Sequence, residues 1–295
     1  MTLYSQADSN IRKTWFYLTG FLVFVILVGW LFSYIFDSYL VLLAAVFYSF
    51  FMSFLSYWYS DKIVLAISRA RLVKKEDNPE LYRVVENLCI TAGLPLPKIY
   101  VIDEAQPNAF ATGRDPQHAV VAVTKGLLEK LEKVELEGVI AHELSHIGNR
   151  DALLQTVIVV LVGTVASLSS IFFRISFRSR SGGNKKGGGI LVLIGILFAL
   201  LAPLAANLLK LAVSRKREFL ADASGALLTR YPEGLARALE KISQDQSPLP
   251  GAGPATAHLY IASPIKGENR NSWISRIFLT HPPVEERIKV LRAMG

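Results

Sequence analysis

The chain has 295 residues, enough for one or two domains. Hydrophobic residues make up 52% of it and its mean hydropathy is positive, which excludes an ordinary water-soluble protein and indicates membrane segments. The net charge is +8, but the basic residues gather beside apolar runs rather than in a stripe with aromatic residues, so no nucleic-acid partner is expected. Cys89 is the single cysteine, so the fold does not depend on an internal disulfide.

The N-terminal region predicts a membrane hairpin. Residues 15–36 and 38–60 are uncharged runs of 22 and 23 residues, separated only by Asp37. Each exceeds the roughly 20 residues that a helix needs to cross a bilayer. The first run is too long for a signal-peptide core and lacks a small-residue cleavage pattern, so we expect a retained anchor. Residues 1–60 are therefore predicted to form an N-terminal transmembrane hairpin.

Residues 61–151 predict the first part of a domain outside the bilayer. Asn78 and Pro79 are typical of a helix start, and Gly93 of its end. Strands are expected at 97–102, 108–112 and 119–124. The strand that begins at Asn108 is interpreted as a sheet edge that pairs with an extended substrate, and Asn108 either grips the substrate backbone or caps a turn.

A second hydrophobic hairpin is predicted at residues 152–209. The apolar runs 152–173 and 190–209 flank a basic, Gly/Ser-rich linker at 176–189. The alternative is a hairpin that packs on the domain or lies shallowly in the membrane interface. Residues 210–295 then complete the domain.

The distribution of Lys and Arg predicts the orientation. If all four runs span, one side receives seven cations in residues 12–75, Arg150, and four in 210–217, whereas the other side receives five in 174–186. Basic flanks favour the cytoplasmic side, so both termini and the domain are predicted to be cytoplasmic in a multi-pass protein of the cell inner membrane.

The strongest chemical motif is His142-Glu143-x-x-His146 within a helical pattern. Residues four apart share one helix face, so both imidazoles can bind one Zn²⁺, with Glu143 as the general base toward water that the metal activates. The alternative is a pair of surface histidines. The apolar residues around the motif argue against that alternative, because two histidines and a glutamate in an apolar helix need a purpose.

A catalytic zinc site needs a third protein ligand and an open position. The next residues do not supply a histidine, because positions 149 and 152 are Asn and Ala. Glu218 and Asp222 lie four apart after the last apolar run, so Glu218 can bind zinc while Asp222 orients a ligand imidazole from behind. The alternative is a solvated cluster in which Glu218 pairs with Arg215 or Arg217.

These motifs together resemble the HtpX family of membrane zinc endopeptidases, which are relatives of the prenyl-protein proteases. The resemblance rests on the His142–His146 motif, Arg217-Glu-Phe-Leu-Ala-Asp222 and His281-Pro-Pro, in this order around the apolar runs. It implies a mainly helical α+β zincin-like domain of the gluzincin type, with Glu218 as the third ligand, on a four-helix transmembrane anchor. It also implies that His281 donates to the developing oxyanion and that the protein clears damaged or misassembled membrane proteins. The alternative for His281 is a helix-entry residue that the two following prolines hold in place.

We therefore expect a zinc endopeptidase, with one Zn²⁺ per chain, that cleaves membrane or misfolded proteins at the cytoplasmic face of the bilayer. Two roles are open for Arg287: it completes the site, or it forms an ion pair at the surface. One alternative is a non-catalytic membrane scaffold with a structural zinc, but such a site usually has four protein ligands, and no fourth Cys or His is evident. Another is an intramembrane-cleaving protease, against which the charges at 150–151 and 215–217 argue.

Overall fold

The computed structural model describes residues 3–35, 37–180, 215–245, 259–261 and 282–295. Within these residues the fold is mainly helical around one four-stranded sheet in the order β1-β2-β4-β3. The strands are β1 (Arg71–Leu72), β2 (Lys98–Ile102), β3 (Ala109–Thr112) and β4 (Val120–Thr124). β2 and β4 run parallel, while β1 and β3 are antiparallel to their neighbours. β3 therefore lies at a sheet edge, where the sequence predicts it.

The N-terminal hairpin consists of α1 (Leu3–Ile35) and α2 (Tyr39–Trp58). Both are long and apolar enough to cross a membrane, α1 from Gln6 onward. They expose large apolar side chains along most of their length, which is the surface expected of helices that contact lipid. The turn between them contains Asp37, whose φ of 47° is left-handed.

The next segment follows the sequence prediction closely. After α3 (Ser60–Ile67) and β1, α4 (Pro79–Ala92) begins at Asn78, whose side chain accepts the N–H of Leu81. It ends at Gly93, which has a left-handed φ of 64° that glycine adopts without steric cost. The four side chains Leu81, Val84, Val85 and Leu88 and the thiol of Cys89 form its buried face.

Two consecutive helices carry the metal motif and the third apolar run. After α5 (Lys125–Lys130), α6 (Lys133–Gly148) begins with a capping box between Glu132 and Glu135. α7 (Asp151–Arg180) follows at an angle of 79°, and Arg150 between them has a left-handed φ of 59°. The sharp bend changes the chain direction immediately after the metal motif.

The C-terminal helices are α8 (Arg215–Thr229), α9 (Pro232–Gln244) and α10 (Val284–Arg292). They join α4 and α6 in the core on one face of the sheet. Side chains of α3 and α7 cover the other face, together with Leu259 and Tyr260. A third cluster joins α1 to α7 through Leu18, Phe21 and Leu153. The sheet is thus buried on both faces, and the third apolar run packs against it as well as against the membrane hairpin.

The structure changes two expectations about the membrane region. Among the described residues, two helices qualify as spans, and a third does so only if α6 and α7 through Val165 are counted as one bent span. The fourth run, at 190–209, lies outside the described residues. Of the four predicted spans, the described residues therefore contain two as separate helices that are long and apolar enough. Residues 176–180, expected to begin the linker, instead continue α7.

Gly138 provides a test of the packing of α6 against α9. A Cβ at Gly138 would lie 2.7 Å from the backbone nitrogen of Leu235, which cannot move without shifting α9. We predict that Gly138→Ala lowers the free energy of unfolding by about 1–3 kcal/mol, as overpacking does.

Gly148→Ala on the same helix is the matched control. There the nearest atom, on Leu94, would be 3.9 Å away, so alanine should be neutral or stabilise by about 0.5–1 kcal/mol. Thermal or denaturant unfolding of the two variants measures the difference. Equal stability of both variants would contradict the packing described for α6 and α9.

Candidate metal centre

One turn of α6 presents both imidazoles of the motif to the same point. His142 is fully buried, and His146 is nearly so. Their Nε2 atoms lie 3.2 Å apart and their rings are perpendicular. The Nδ1 atom of each ring faces a carboxylate, that of Asp222 at 2.9 Å and that of Asp151 at 3.2 Å. Both Nε2 atoms are therefore left to face the interior of the cluster.

Glu218 on α8 completes a group of three ligand atoms. Its Oε2 atom lies 3.8 Å from His142 Nε2, and its Oε1 atom lies 3.7 Å from His146 Nε2. One ligand atom from each of the three residues can be chosen so that all lie within 4.8 Å of one another. Two atoms about 2.0–2.1 Å from a tetrahedral zinc are about 3.4 Å apart, so the three residues fit one zinc ion with small adjustments. Glu218 is 1% exposed, which contradicts the alternative of a solvated charge cluster.

A glycine permits the approach of α8 to α6. A Cβ at Gly225 would lie 3.0 Å from the backbone nitrogen of His142. A larger side chain there would separate the two helices at the level of the first ligand. Because Glu218 and Asp222 lie on the same helix as Gly225, the small residue sets how closely both carboxylates reach His142.

Asp222 connects the first imidazole to a buried arginine. Its carboxylate accepts two bonds from Arg287, from Nε at 2.8 Å and from Nη2 at 2.7 Å, and it lies 2.9 Å from His142 Nδ1. Arg287 also donates to the carbonyl of Ile261 and is fully buried, so the alternative of a surface ion pair is wrong. Burial would raise the pKa of Asp222, but Arg287 and His142 lower it to about 2. The carboxylate is therefore ionised and held in a fixed orientation.

Glu143 follows His142 on α6 and is not one of the three residues of the ligand group. It is 1% exposed, and burial raises its pKa to about 7. The charge of His146 is the largest effect that opposes this rise in pKa. The charge of Arg287 and a hydrogen bond from the backbone N–H of Ala111, on the edge strand β3, oppose it further. The carboxylate therefore lies next to the sheet edge, and burial disfavours its charged form in the protein alone.

In the protein alone, the pKa of the His142 imidazole is lowered and that of the His146 imidazole is raised. Burial lowers the pKa of His142. Burial would also lower the pKa of His146, but the bond to Asp151 and the charge of Glu218 raise it to about 9. A dication between the ligands would favour the deprotonated forms of both rings, so metal binding at neutral pH would release a proton from His146.

The net charge of the buried groups at the centre favours the binding of one divalent cation. Among the described residues, four buried carboxylates face two buried guanidinium groups. The carboxylates are those of Glu143, Asp151, Glu218 and Asp222, and the guanidinium groups are those of Arg217 and Arg287. When all are ionised, these groups carry a net charge of −2, which is costly to bury without cations. The imidazolium of His146 balances one of these charges in the protein alone, and a divalent cation would balance both.

Asp151 and Arg217 correct one argument from the sequence. Both were expected to mark the water boundary, but Asp151 is fully buried and Arg217 is 4% exposed, with Arg217 Nε 3.2 Å from Asp151 Oδ1. Asp151 also lies against His146, a contact that the sequence analysis does not predict. The available signal was an acid five residues after His146, at the start of an apolar run.

The structure gives different information about the remaining predicted residues. His281 lies outside the described residues. Asn108 is 1% exposed at the start of β3, and its Oδ1 accepts the N–H of Ala109. The carbonyl of Ala109 already accepts the N–H of Ile261. A substrate strand that pairs with β3 at Ala109 would therefore displace Ile261.

Comparisons with known proteins agree with this fold and centre. The pattern of Peptidase family M48 matches residues 75–295. The chain is 48% identical to a "Protease HtpX homolog" of Dictyoglomus thermophilum, covering 100% of this chain and 95% of that protein. It is 43% identical to the "Protease HtpX homolog" of Tropheryma whipplei strain Twist, covering 99% of each.

A solved structure supports the fold. The crystal structure of S. mikatae Ste24p is similar with a TM-score of 0.51 at 20% identity, covering 98% of this chain and 66% of that one. At this identity the similarity concerns the fold alone.

The fold and the His-His-Glu cluster are those of a membrane metalloprotease. The chain belongs to peptidase family M48 and is a zinc metallopeptidase, since the family match covers most of its length and its relatives are HtpX proteases. The resemblance to HtpX proteases that the sequence predicts is confirmed.

The contributions of Glu218 and Asp222 can be separated by substitution. We predict that Glu218→Ala abolishes tight zinc binding, because it removes a direct ligand and its charge. Asp222→Asn keeps the three ligands but weakens the hold on His142, and should lower zinc affinity about 10–100-fold. Competition with a chromophoric chelator measures both.

Glu233→Ala is the control, because Glu233 lies on the neighbouring helix α9 and pairs with Arg292 at the surface. It should bind zinc as the wild type does. Wild-type affinity in Glu218→Ala, or loss of zinc in Glu233→Ala, would mean that the third ligand is misassigned.

Proposed function

We propose that this chain is a zinc-dependent endopeptidase that cleaves membrane or misfolded proteins next to the bilayer, with His142, His146 and Glu218 as its zinc ligands. The observation that carries the proposal is the convergence of these three buried side chains, with ligand atoms within 4.8 Å of one another. The described group has three protein ligands, which leaves a position for water and substrate, whereas a structural scaffold site usually has four.

The proposed chemistry assigns the proton transfers to Glu143. A zinc ion held by the three ligands would polarise the scissile carbonyl and lower the pKa of a water molecule. Glu143 takes a proton from the water molecule as the water oxygen adds to the carbonyl carbon. The same carboxyl group then gives the proton to the amide nitrogen as the C–N bond breaks. Burial of Glu143 disfavours its charged form in the protein alone, which favours its holding the proton between the two transfers.

Other residues are proposed to hold the substrate and the developing charge. By the resemblance to HtpX proteases, His281 donates a hydrogen bond to the oxyanion. Asn108 and the edge of β3 align the substrate backbone. The contact between Ala111 and Glu143 supports this part of the proposal, because it brings the edge strand to the base.

The proximity of the ligands to apolar helices supports a membrane-linked substrate class. α7 begins three residues after the end of α6 and packs against α1. We propose that the domain and both termini are cytoplasmic, that residues 152–209 cross the bilayer as a second hairpin, and that the protein acts in quality control at the cell inner membrane. The exposed Arg215 and Lys216 support a cytoplasmic boundary near α8.

Replacing the base tests the catalytic proposal. Glu143→Gln should retain stoichiometric zinc, because no ligand changes, and should lose cleavage of a casein-type substrate by several orders of magnitude. Zinc content and hydrolysis are measured on the same preparation, with a chelator-treated wild type as the second control. Wild-type cleavage by Glu143→Gln would remove the role given to this carboxylate, and zinc binding without any hydrolysis by the wild type would favour the scaffold.

Reporter fusions test the orientation. Fusions after Lys75 and at the C-terminus should both report cytoplasm, whereas a fusion at Asn184 should report the opposite side. The reason is the excess of cations near the first two positions. A cytoplasmic signal at Asn184 would show that the second hairpin does not span.

A further inference from the structure

The first membrane helix has a polar buried face where it begins. Gln6, Asn10 and Thr14 lie one turn apart on the inner side of α1, and Asn10 and Thr14 are fully buried. The same face continues with Leu18 and Phe21, which pack on α7. An amide in a buried face of a membrane helix is costly unless it has a partner, so the partner of Asn10 indicates its role.

The partner of Asn10 lies beside the metal ligands. Asn10 Nδ2 donates to Asp151 Oδ1 at 2.7 Å and to the carbonyl of Asn149 at 2.8 Å. The other oxygen of Asp151, Oδ2, lies 3.2 Å from His146 Nδ1. An uninterrupted series of buried polar contacts therefore connects α1, the start of α7 and the second imidazole on α6.

The backbone is strained at the α6–α7 junction, directly before the residue that contacts His146. Arg150 is a non-glycine residue with a left-handed φ of 59°, a conformation that L-residues avoid. It lies at the 79° bend, directly before Asp151, whose carboxylate contacts His146. Strain of this kind persists where the surrounding structure fixes it, commonly at functional sites.

We propose that Asp151 and Asn10 are positioning residues for His146, so that the first membrane helix is part of the metal centre and not only an anchor. The proposal rests on the proposed zinc site. Asp151 fixes the ring and its tautomer with Nε2 directed toward the metal position. Asn10 holds the opposite oxygen of the same carboxylate, which sets its rotation. Arg217, 3.2 Å from Oδ1, balances the charge of Asp151.

The test compares three variants of the full-length chain in detergent or nanodiscs. Asp151→Asn should weaken zinc binding about 10–100-fold, and Asn10→Ala roughly tenfold. Thr14→Ala is the matched control: Thr14 lies on the same face of α1, is equally buried, and donates only to the Asn10 carbonyl within its own helix. Its zinc affinity should stay within about twofold of wild type.

Cobalt(II) in place of zinc provides a spectroscopic measurement that helix packing alone would not change. Its visible absorption depends on ligand geometry, so Asn10→Ala and Asp151→Asn should alter the spectrum, whereas Thr14→Ala should leave it as in wild type. If Asp151→Asn does not accumulate as folded protein, Asn10→Ala against Thr14→Ala still separates positioning from packing. The double variant Asn10→Ala/Asp151→Asn should bind zinc no more weakly than Asp151→Asn alone, because both substitutions act through one carboxylate.

Two outcomes would overturn the proposal, and they are distinguishable. Wild-type zinc affinity and cobalt spectrum in Asn10→Ala and Asp151→Asn, even with lowered thermal stability, would make these residues purely structural. Equal losses in Thr14→Ala and Asn10→Ala would assign the effect to packing. Failure of the wild type to bind zinc would instead overturn the proposed function and this inference with it.

Discussion

The close crossing of α6 and α8 is the constraint on which the centre depends. Two of the proposed ligands come from α6 and the third from α8, and 66 residues lie between the end of α6 and the start of α8. Gly225 lets the backbone of α8 approach His142 without a side chain between them. At this separation the carboxylates of Glu218 and Asp222 reach the two nitrogens of one imidazole. A side chain at position 225 would move both carboxylates together.

Burial of Asp151 and Asp222 is tolerated because each carboxylate has charged or polar partners. Asp222 is paired with Arg287 through two bonds, and Asp151 with Arg217 and the Asn10 amide. Breaking one buried pair leaves an unpaired charge, which costs more than the pair itself contributes. The network therefore fixes the orientation of the imidazoles at the expense of tolerance to substitution.

Local features of the fold were predictable because their signals are local. The start, end and buried face of α4 follow from Asn78, Pro79, Gly93 and the helical period, and the structure confirms them. The three longer strands are found within two residues of their predicted bounds. β1 was missed because two residues in a basic segment carry no periodicity.

Contacts between distant residues could not be predicted in the same way. Helical period predicts which face of a helix is buried but not which element covers it. Arg287 and Asp222 are 65 positions apart, and Asn10 and Asp151 are 141 apart. The prediction that Glu218 joins the two histidines depended on the resemblance to a family. Spacing alone could not exclude a surface ion pair between Glu218 and a neighbouring arginine. The burial of Asp151 shows why an acid next to an apolar run cannot be assumed to mark the membrane boundary.

Anomalous diffraction at the zinc edge, from crystals of the full-length protein, tests the central claim most directly. The predicted result is one zinc peak about 2.0–2.2 Å from Nε2 of His142, Nε2 of His146 and an oxygen of Glu218, with no further protein ligand. A peak that lacks Glu218, or that has four protein ligands, would contradict the proposed catalytic centre.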